Sequence, residues 1–232
     1  MSGHSKWATI KRAKGVTDAK KGALFTKLSK NISLAARKGK DPEFNASLRT
    51  AIEAAKAVSM PKDNIERAIS RGAGELPGQK IEEITYEGYG PNGVAMLIRC
   101  ATDNTNRTSS NLKSTLSKHG GNLGGPGSVS FLFKPAGIIR VEQNSDALQL
   151  AAMDAGAEDI IEEAGGITIF TPPELFETVK TTLGNVVAVA ELTNRPLTMI
   201  SLNDDAQASL GKLLEELEDN DDIMDLYHNA AL

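Results

Sequence analysis

Residues 137–193 read GIIRVEQNSDALQLAAMDAGAEDIIEEAGGITIFTPPELFETVKTTLGNVVAVAELT, and the spacing of their apolar positions alternates between the strand period of two and the helix period of about 3.6. Strand 137–141, helix 145–155, strands 158–163 and 167–171, helix 173–184 and strand 186–193 follow in that order. Strand, helix, strand, strand, helix, strand is the split βαβ, or ferredoxin-like, arrangement. It needs no residue from outside the stretch, so it reads as a self-contained α+β domain.

The flanks carry a second, interrupted set of elements. Before the stretch, residues 83–88 and 93–101 read as strands joined by Gly90-Pro91-Asn92-Gly93, 105–119 as a helix closed by Gly120-Gly121, and 129–134 as a strand. After it come a strand or loop at 197–202, a helix from Asp204 to about Glu218 and a strand from Ile223 to His228. Residues 79–134 lack a second helix and a closing strand, which the C-terminal segment supplies. The expected organisation is therefore one α+β domain of 79–134 plus 204–232, with the ferredoxin-like 135–203 inserted in it.

Upstream the pattern is helical. Leu24, Phe25, Leu28, Ile32 and Ala35 line one face of a helix that starts at Thr17 or Asp18 and stops at Gly39. A second helix is predicted from the capping sequence Asp41-Pro42-Glu43 to about Val58, with Leu48, Ile52 and Ala55 inward, and a third from Pro61 to just before Gly72. With residues 1–16, too polar to fold alone, they make a basic arm and three-helix domain over 1–78, ending in the linker Gly72–Gly78.

Charge divides the chain more sharply than any motif does. Residues 1–80 hold 17 Lys and Arg against 7 Asp and Glu, whereas 81–232 hold 9 against 23, so the net charge of −4 conceals a basic head on an acidic body. In the first 40 residues eleven cations face one acid, Asp18. A solvated helix face ordinarily mixes signs, so this asymmetry points to a polyanion. The residues assigned to nucleic-acid binding are Lys6, Trp7, Lys11, Arg12, Lys14, Lys20, Lys21, Lys27, Lys30, Arg37 and Lys38. Their cations release counterions from phosphates, and Trp7 and Arg12 can stack on unpaired bases. Tyr89, at the tip of a hairpin, and Arg107, Lys113 and Lys118, basic residues on the acidic domain, form a secondary contact. No helix here carries the Asn, Gln and Arg pattern of a base-reading element.

Other chemistry finds little footing. Gly120–Gly127 lacks the Gly-Lys-Ser/Thr ending of a phosphate loop and reads as a helix cap and turn. His4, His119 and His228 are scattered, and no HExxH, CxxC or GxSxG occurs, so neither a metal, nor a cofactor, nor a catalytic residue is assigned. Cys100, inside the apolar run 94–101, reads as a buried strand residue. The acidic stretch 215–222 either repels phosphate or packs near the basic head. No apolar run approaches the ~20 residues of a membrane span, and no secretory signal follows Met1, so a cytoplasmic protein is expected.

Six motifs in order, Gly3-His4-Ser5-Lys6-Trp7, Asp18-Ala19-Lys20-Lys21-Gly22, Tyr86-Glu87-Gly88-Tyr89-Gly90-Pro91, Asn104 with Asn106-Arg107-Thr108, Gly120-Gly121-Asn122-Leu123-Gly124 and Tyr227-His228-Asn229, resemble the YebC/PmpR family nearly end to end. Where that family often has a His-containing basic run, this chain has Lys11-Arg12-Ala13-Lys14, which keeps the charge. The resemblance implies a helical N-terminal domain and two α+β domains, the third inserted in the second. It also implies a nucleic-acid partner: DNA, for a transcriptional regulator, or ribosomal RNA and tRNA near the peptidyl-transferase region, for a ribosome-associated translation factor. The expectation is a non-enzymatic, monomeric DNA-binding transcriptional regulator, with the translation factor as the alternative. A third class, a protein-interaction module using the inserted domain, is disfavoured by the charge division.

Overall fold

The computed structural model describes residues 18–76, 80–163 and 165–231. They form two compact units, one of residues 18–130 with 199–231 and one of Phe131–Thr198. The fold is mixed α and β, with two antiparallel four-stranded sheets, one parallel two-stranded pair and an N-terminal group of helices.

In the first unit, helices α1 (Asp18–Ala36), α2 (Ala46–Ala57) and α3 (Lys62–Gly72) bury Leu28, Ile32, Leu48, Ala55 and Ile65 together. Helices α1 and α3 approach so closely that a Cβ on Gly72 would lie 2.2 Å from the Ser33 carbonyl oxygen. Helix α2 starts later than its sequence suggests. Asp41-Pro42-Glu43 forms a turn in which the Glu43 N–H donates to Asp41 Oδ1 at 2.9 Å, and the cap is Asn45. Asn45 Oδ1 accepts from Leu48 N–H at 3.1 Å, while its Nδ2 donates to the carbonyls of Ala35 at 2.8 Å and Gly39 at 2.7 Å. An amide can tie the end of one helix to the start of the next because it both donates and accepts; the Asp41 carboxylate only accepts.

The same unit holds strands β1 (Glu82–Tyr89) and β2 (Ala95–Thr102), helix α4 (Thr105–Lys118) and the short β3 (Asn122–Leu123). Asn92 and Gly93 both have positive φ in the β1–β2 turn, a conformation Asn-Gly adopts readily. After the second unit the chain returns as β8 (Ile200–Ser201), α7 (Asp204–Glu218), β9 (Ile223–His228) and β10 (Ala230–Ala231). Strand β9 pairs with β2 to give the order β3-β1-β2-β9. Alternate residues Met96, Ile98 and Cys100 meet Leu112 and Leu116 of α4 and Leu210, Leu213 and Leu217 of α7. Burial pushes the Cys100 thiol up to about 12, which makes it inert at neutral pH.

The glycine-rich segment belongs to this sheet. Gly120 ends α4 with φ +76°, and a Cβ on Gly121 would lie 2.2 Å from the Tyr89 carbonyl oxygen. Beyond β3 the loop is clamped by Glu87, whose carboxylate accepts from the N–H groups of Gly127, Val129 and Ser130 at 2.7–2.8 Å. Desolvation raises the Glu87 pKa, but the three backbone donors outweigh it and hold the group below its ordinary value. The strand expected at 129–134 is instead a 3₁₀ turn, Ser130–Leu132, leading into β4 (Phe133–Val141), which runs unbroken through 134 and 135.

The second unit comprises β4, α5 (Asp146–Asp154), β5 (Asp159–Glu163), β6 (Gly166–Thr171), α6 (Phe176–Leu183) and β7 (Val187–Pro196). Its sheet order, β5-β6-β4-β7, with every ladder antiparallel, is the ferredoxin-like one. Ile139, Val141, Ile167 and Ile169 pack against Ala152 and Val179 from the two helices.

One carboxylate joins the helices of the first unit to its sheet. Asp222, 5% exposed, accepts from Lys30 of α1 at 2.6 Å, from Thr108 Oγ1 of α4 at 2.7 Å and from Arg107 at 3.2 Å. Its own carbonyl accepts from Ala101 N–H at 2.8 Å beside the sheet. Burial raises the Asp222 pKa, but the hydrogen bonds of Lys30 and Thr108 and the charge of Lys30 overcome it, leaving the carboxyl below its ordinary value.

Two stability measurements follow. Asn45→Ala removes a cap and leaves the carbonyls of Ala35 and Gly39 without their donor, so urea denaturation should show a loss of about 1–3 kcal/mol. For Asp222 the folded pKa lies below the unfolded one, so its contribution is present above about pH 4 and is lost as pH falls through the folded value. Asp222→Asn should therefore cost about 3 kcal/mol at neutral pH, and the difference from wild type should close on acidification. An unchanged gap at low pH would contradict the charge-based clamp.

Candidate nucleic-acid interface

Of the predicted binding residues, Lys6, Trp7, Lys11, Arg12 and Lys14 lie outside the described residues, and Lys20 sits in the first turn of α1. Lys21, Arg37 and Lys38 are exposed. Arg37 donates to the Ile81 carbonyl at 3.2 Å across the linker to β1. This part of the basic face is open to a partner.

Lys27 and Lys30 are placed differently. Both turn from solvent toward the acidic segment that follows α7. Lys27 Nζ donates to the carbonyl oxygen of Glu218, and Lys30 Nζ donates to the Asp221 carbonyl at 2.9 Å as well as to the Asp222 carboxylate. Glu218 is the last residue of α7, where the helix leaves carbonyls unbonded and carries the negative end of its dipole, so an ammonium there is favourable. Burial pushes the Lys27 ammonium below its ordinary value, against the pull of Asp221, Glu218 and Asp219. A desolvated lysine already donating within the protein is a poor phosphate ligand. Of the two roles open to the acidic stretch, packing against the basic head is the one the geometry realises.

The secondary group is also partly engaged. Tyr89 is half-buried instead of presented at a hairpin tip, and its hydroxyl donates to the Ser128 carbonyl at 2.8 Å. Arg107 bridges Asp103 at 2.9 Å and Asp222, whose hydrogen bond and charge raise its pKa. Lys118 pairs with Glu216 at 2.7 Å, and His119 Nε2 lies 2.9 Å from the same carboxylate. Lys113 is exposed. Between α1, α4 and the end of α7 lies a polar cleft of about 560 Å³ lined by Thr26, Asn111, Ser114, Thr115 and Asn220 together with the Lys30–Asp222–Arg107 group. Mixed charge and internal pairing suit this cleft to joining the helices to the sheet.

Sequence reasoning missed two features. Asn45, buried and bonded on both sides, sits one turn away from the more conspicuous Asp41-Pro42 signature; the only signal for it was its place three residues before Leu48. Phe44, 89% exposed, falls in the turn where a helix was expected to begin. Among the described residues no three of His, Cys, Asp and Glu gather as a metal-ligand set, and no helix is long and apolar enough to cross a membrane.

Comparison with known proteins places the chain in a family. Residues 5–75 match the model of the TACO1/YebC protein N-terminal domain, and residues 81–230 match that of the TACO1/YebC second and third domain. A "probable transcriptional regulatory protein" of Persephonella marina is 49% identical over 241 residues, covering 100% of this chain and 96% of that protein. One from Treponema pallidum (strain Nichols) with the same description is 48% identical over 239 residues, covering 100% and 98%. The crystal structure of a conserved hypothetical protein from Aquifex aeolicus superposes with a TM-score of 0.80 at 42% identity, covering 94% of this chain and 93% of that one. With both family models matched in sequence order along nearly its full length, the chain belongs to the TACO1/YebC family.

Proposed function

We propose that this chain is a cytoplasmic, monomeric, non-enzymatic regulator of gene expression that binds nucleic acid through its N-terminal arm and the open part of α1. The observation that carries the reading is the concentration of eleven Lys and Arg against one acid in the first 40 residues of an otherwise acidic chain. Lys6, Lys11, Arg12, Lys14, Lys20 and Lys21 take the phosphates, with Arg37 and Lys38 at the far end of α1. Lys27 and Lys30 serve the fold. Lys113 and Lys118 provide at most a weak outlying contact, because the body around them is acidic. The relatives' description as probable transcriptional regulatory proteins supports a transcriptional role, for which DNA is the target we propose.

A second reading, a ribosome-associated translation factor, is favoured by one specific observation. With Lys27 and Lys30 engaged internally, the helical face left for a regular duplex shrinks and the arm bearing Trp7 and Arg12 carries more of the binding. Side chains that stack gain most from unpaired bases, which folded RNA supplies and an intact duplex does not.

Two experiments test these readings. Changing Lys11, Arg12, Lys14, Lys20 and Lys21 together to Ala removes about five phosphate contacts, so the log–log salt slope should fall by about 4.5 on duplex DNA and about 3.5 on a single strand. Wild-type affinity in that variant would contradict the basic-head assignment. Trp7→Ala separates the targets. A transcriptional regulator held by phosphates should keep its promoter footprint, whereas a ribosome factor should lose co-sedimentation with ribosomes while keeping its non-specific duplex affinity.

A further inference from the structure

We propose that Phe44 is a base-stacking residue, forming with Lys38, Lys40 and Arg49 a second binding point that takes an unpaired nucleobase and its neighbouring phosphates. This rests on the nucleic-acid reading above but uses residues outside the arm. Phe44 is 89% exposed, the most exposed large apolar side chain among the described residues. A single exposed phenylalanine is unremarkable by itself; its mounting is what matters.

The turn that carries Phe44 is fixed on both sides. Its own N–H donates to the Asp41 carbonyl at 3.3 Å, and Arg49 Nη1 donates to the Pro42 carbonyl at 3.2 Å. The next residue, Asn45, is buried and bonded to α1, to Gly39 and to α2. An aromatic ring on so constrained a turn loses little freedom when it binds, which is the condition under which one side chain contributes measurable affinity.

Its surroundings select the ligand. The Asn45–Gly39 hydrogen bond brings Lys38 and Lys40 alongside the turn, and Arg37, Lys38, Lys40 and Arg49 are all exposed, against the exposed acids Asp41, Glu43 and Glu75. Lys40 pairs with Glu75 at 2.6 Å, but both are solvent-exposed, and such a pair exchanges for a phosphate at small cost. A ring flanked by exposed cations is the arrangement that holds a strand by its phosphates while stacking one base. A protein partner would be expected to need a larger apolar surface than this one ring.

The test compares a short mixed-sequence single strand with an abasic strand of equal length. Phe44→Ala should weaken binding to the base-bearing strand about 5- to 150-fold, leave abasic binding unchanged, and leave the thermal midpoint unchanged because the ring buries almost nothing. In a Trp7→Phe background, which serves as its own reference, Phe44→Trp should bind the base-bearing strand at least as tightly as the protein that keeps Phe44, Phe44→Ala should bind it more weakly, and the fluorescence of the Phe44→Trp variant should be quenched by the base-bearing strand only. Wild-type discrimination retained in Phe44→Ala would overturn the Phe44 assignment and leave the basic-arm reading standing. Failure of the wild-type protein to bind either strand would overturn the Phe44 assignment, and failure to bind duplex DNA as well would overturn the basic-arm reading.

Discussion

The placement of the helices against the first sheet depends on burying Asp222. A carboxylate that is 5% exposed is tolerable only if its charge and lone pairs are answered. Here they are answered from two directions: Lys30 comes from α1, while Arg107 and Thr108 come from α4, next to the strand that pairs with β9. Removing any one partner leaves charge in a desolvated place. The helical group is therefore more than a basic appendage to the α+β body, because one of its lysines completes the charge balance of that body.

This arrangement changes how the basic helix is understood. A cation on an amphipathic helix opposite the apolar stripe is ordinarily counted as available to phosphate, yet Lys27 caps α7 and Lys30 neutralises Asp222. Among the described residues of the basic head, the cations assigned to binding that stay open lie at the two ends of α1: Lys21 toward the N-terminus, and Arg37 and Lys38 toward the turn that carries Phe44. The binding surface we propose, distributed in this way, would suit a ligand that is extended or irregular better than one that presents a uniform row of phosphates. The carboxylates of segment 215–222 oppose the dipole of the helix they end, and the arrangement becomes favourable once Lys27 and Lys30 reach it.

Much of the fold was legible because it rests on local rules. The helix Asp204–Glu218 and the strand Ile223–His228 match their sequence bounds, since a capping Asn203, a 3.6 period and a following turn are all short-range signals. The βαββαβ order was readable for the same reason, and the antiparallel sheet order β5-β6-β4-β7 agrees with it. Errors arose where a tertiary partner outcompeted a local signal. Asp41-Pro42 is a good helix start, but Asn45 alone can bond both Ala35 and Gly39. Residues 129–134 look like a strand, yet Glu87 draws the backbone N–H groups of Val129 and Ser130 into a clamp. Tyr89 looked presented because its acceptor, Ser128, is 39 residues away. Charge asymmetry marked the basic head, but period alone did not reveal which lysines fold back onto the body.

The central claim is that nucleic acid is bound by the basic N-terminal part of the chain, with the acidic remainder kept clear of it. The most direct measurement is ultraviolet crosslinking of the protein to its nucleic acid in cells, followed by mass-spectrometric mapping of the crosslinked peptides and sequencing of the attached strands. The account predicts adducts confined to residues 6–49, with the strand sequences naming promoter DNA or ribosomal RNA as the target. Adducts concentrated in 131–198, or no adducts at all, would contradict it.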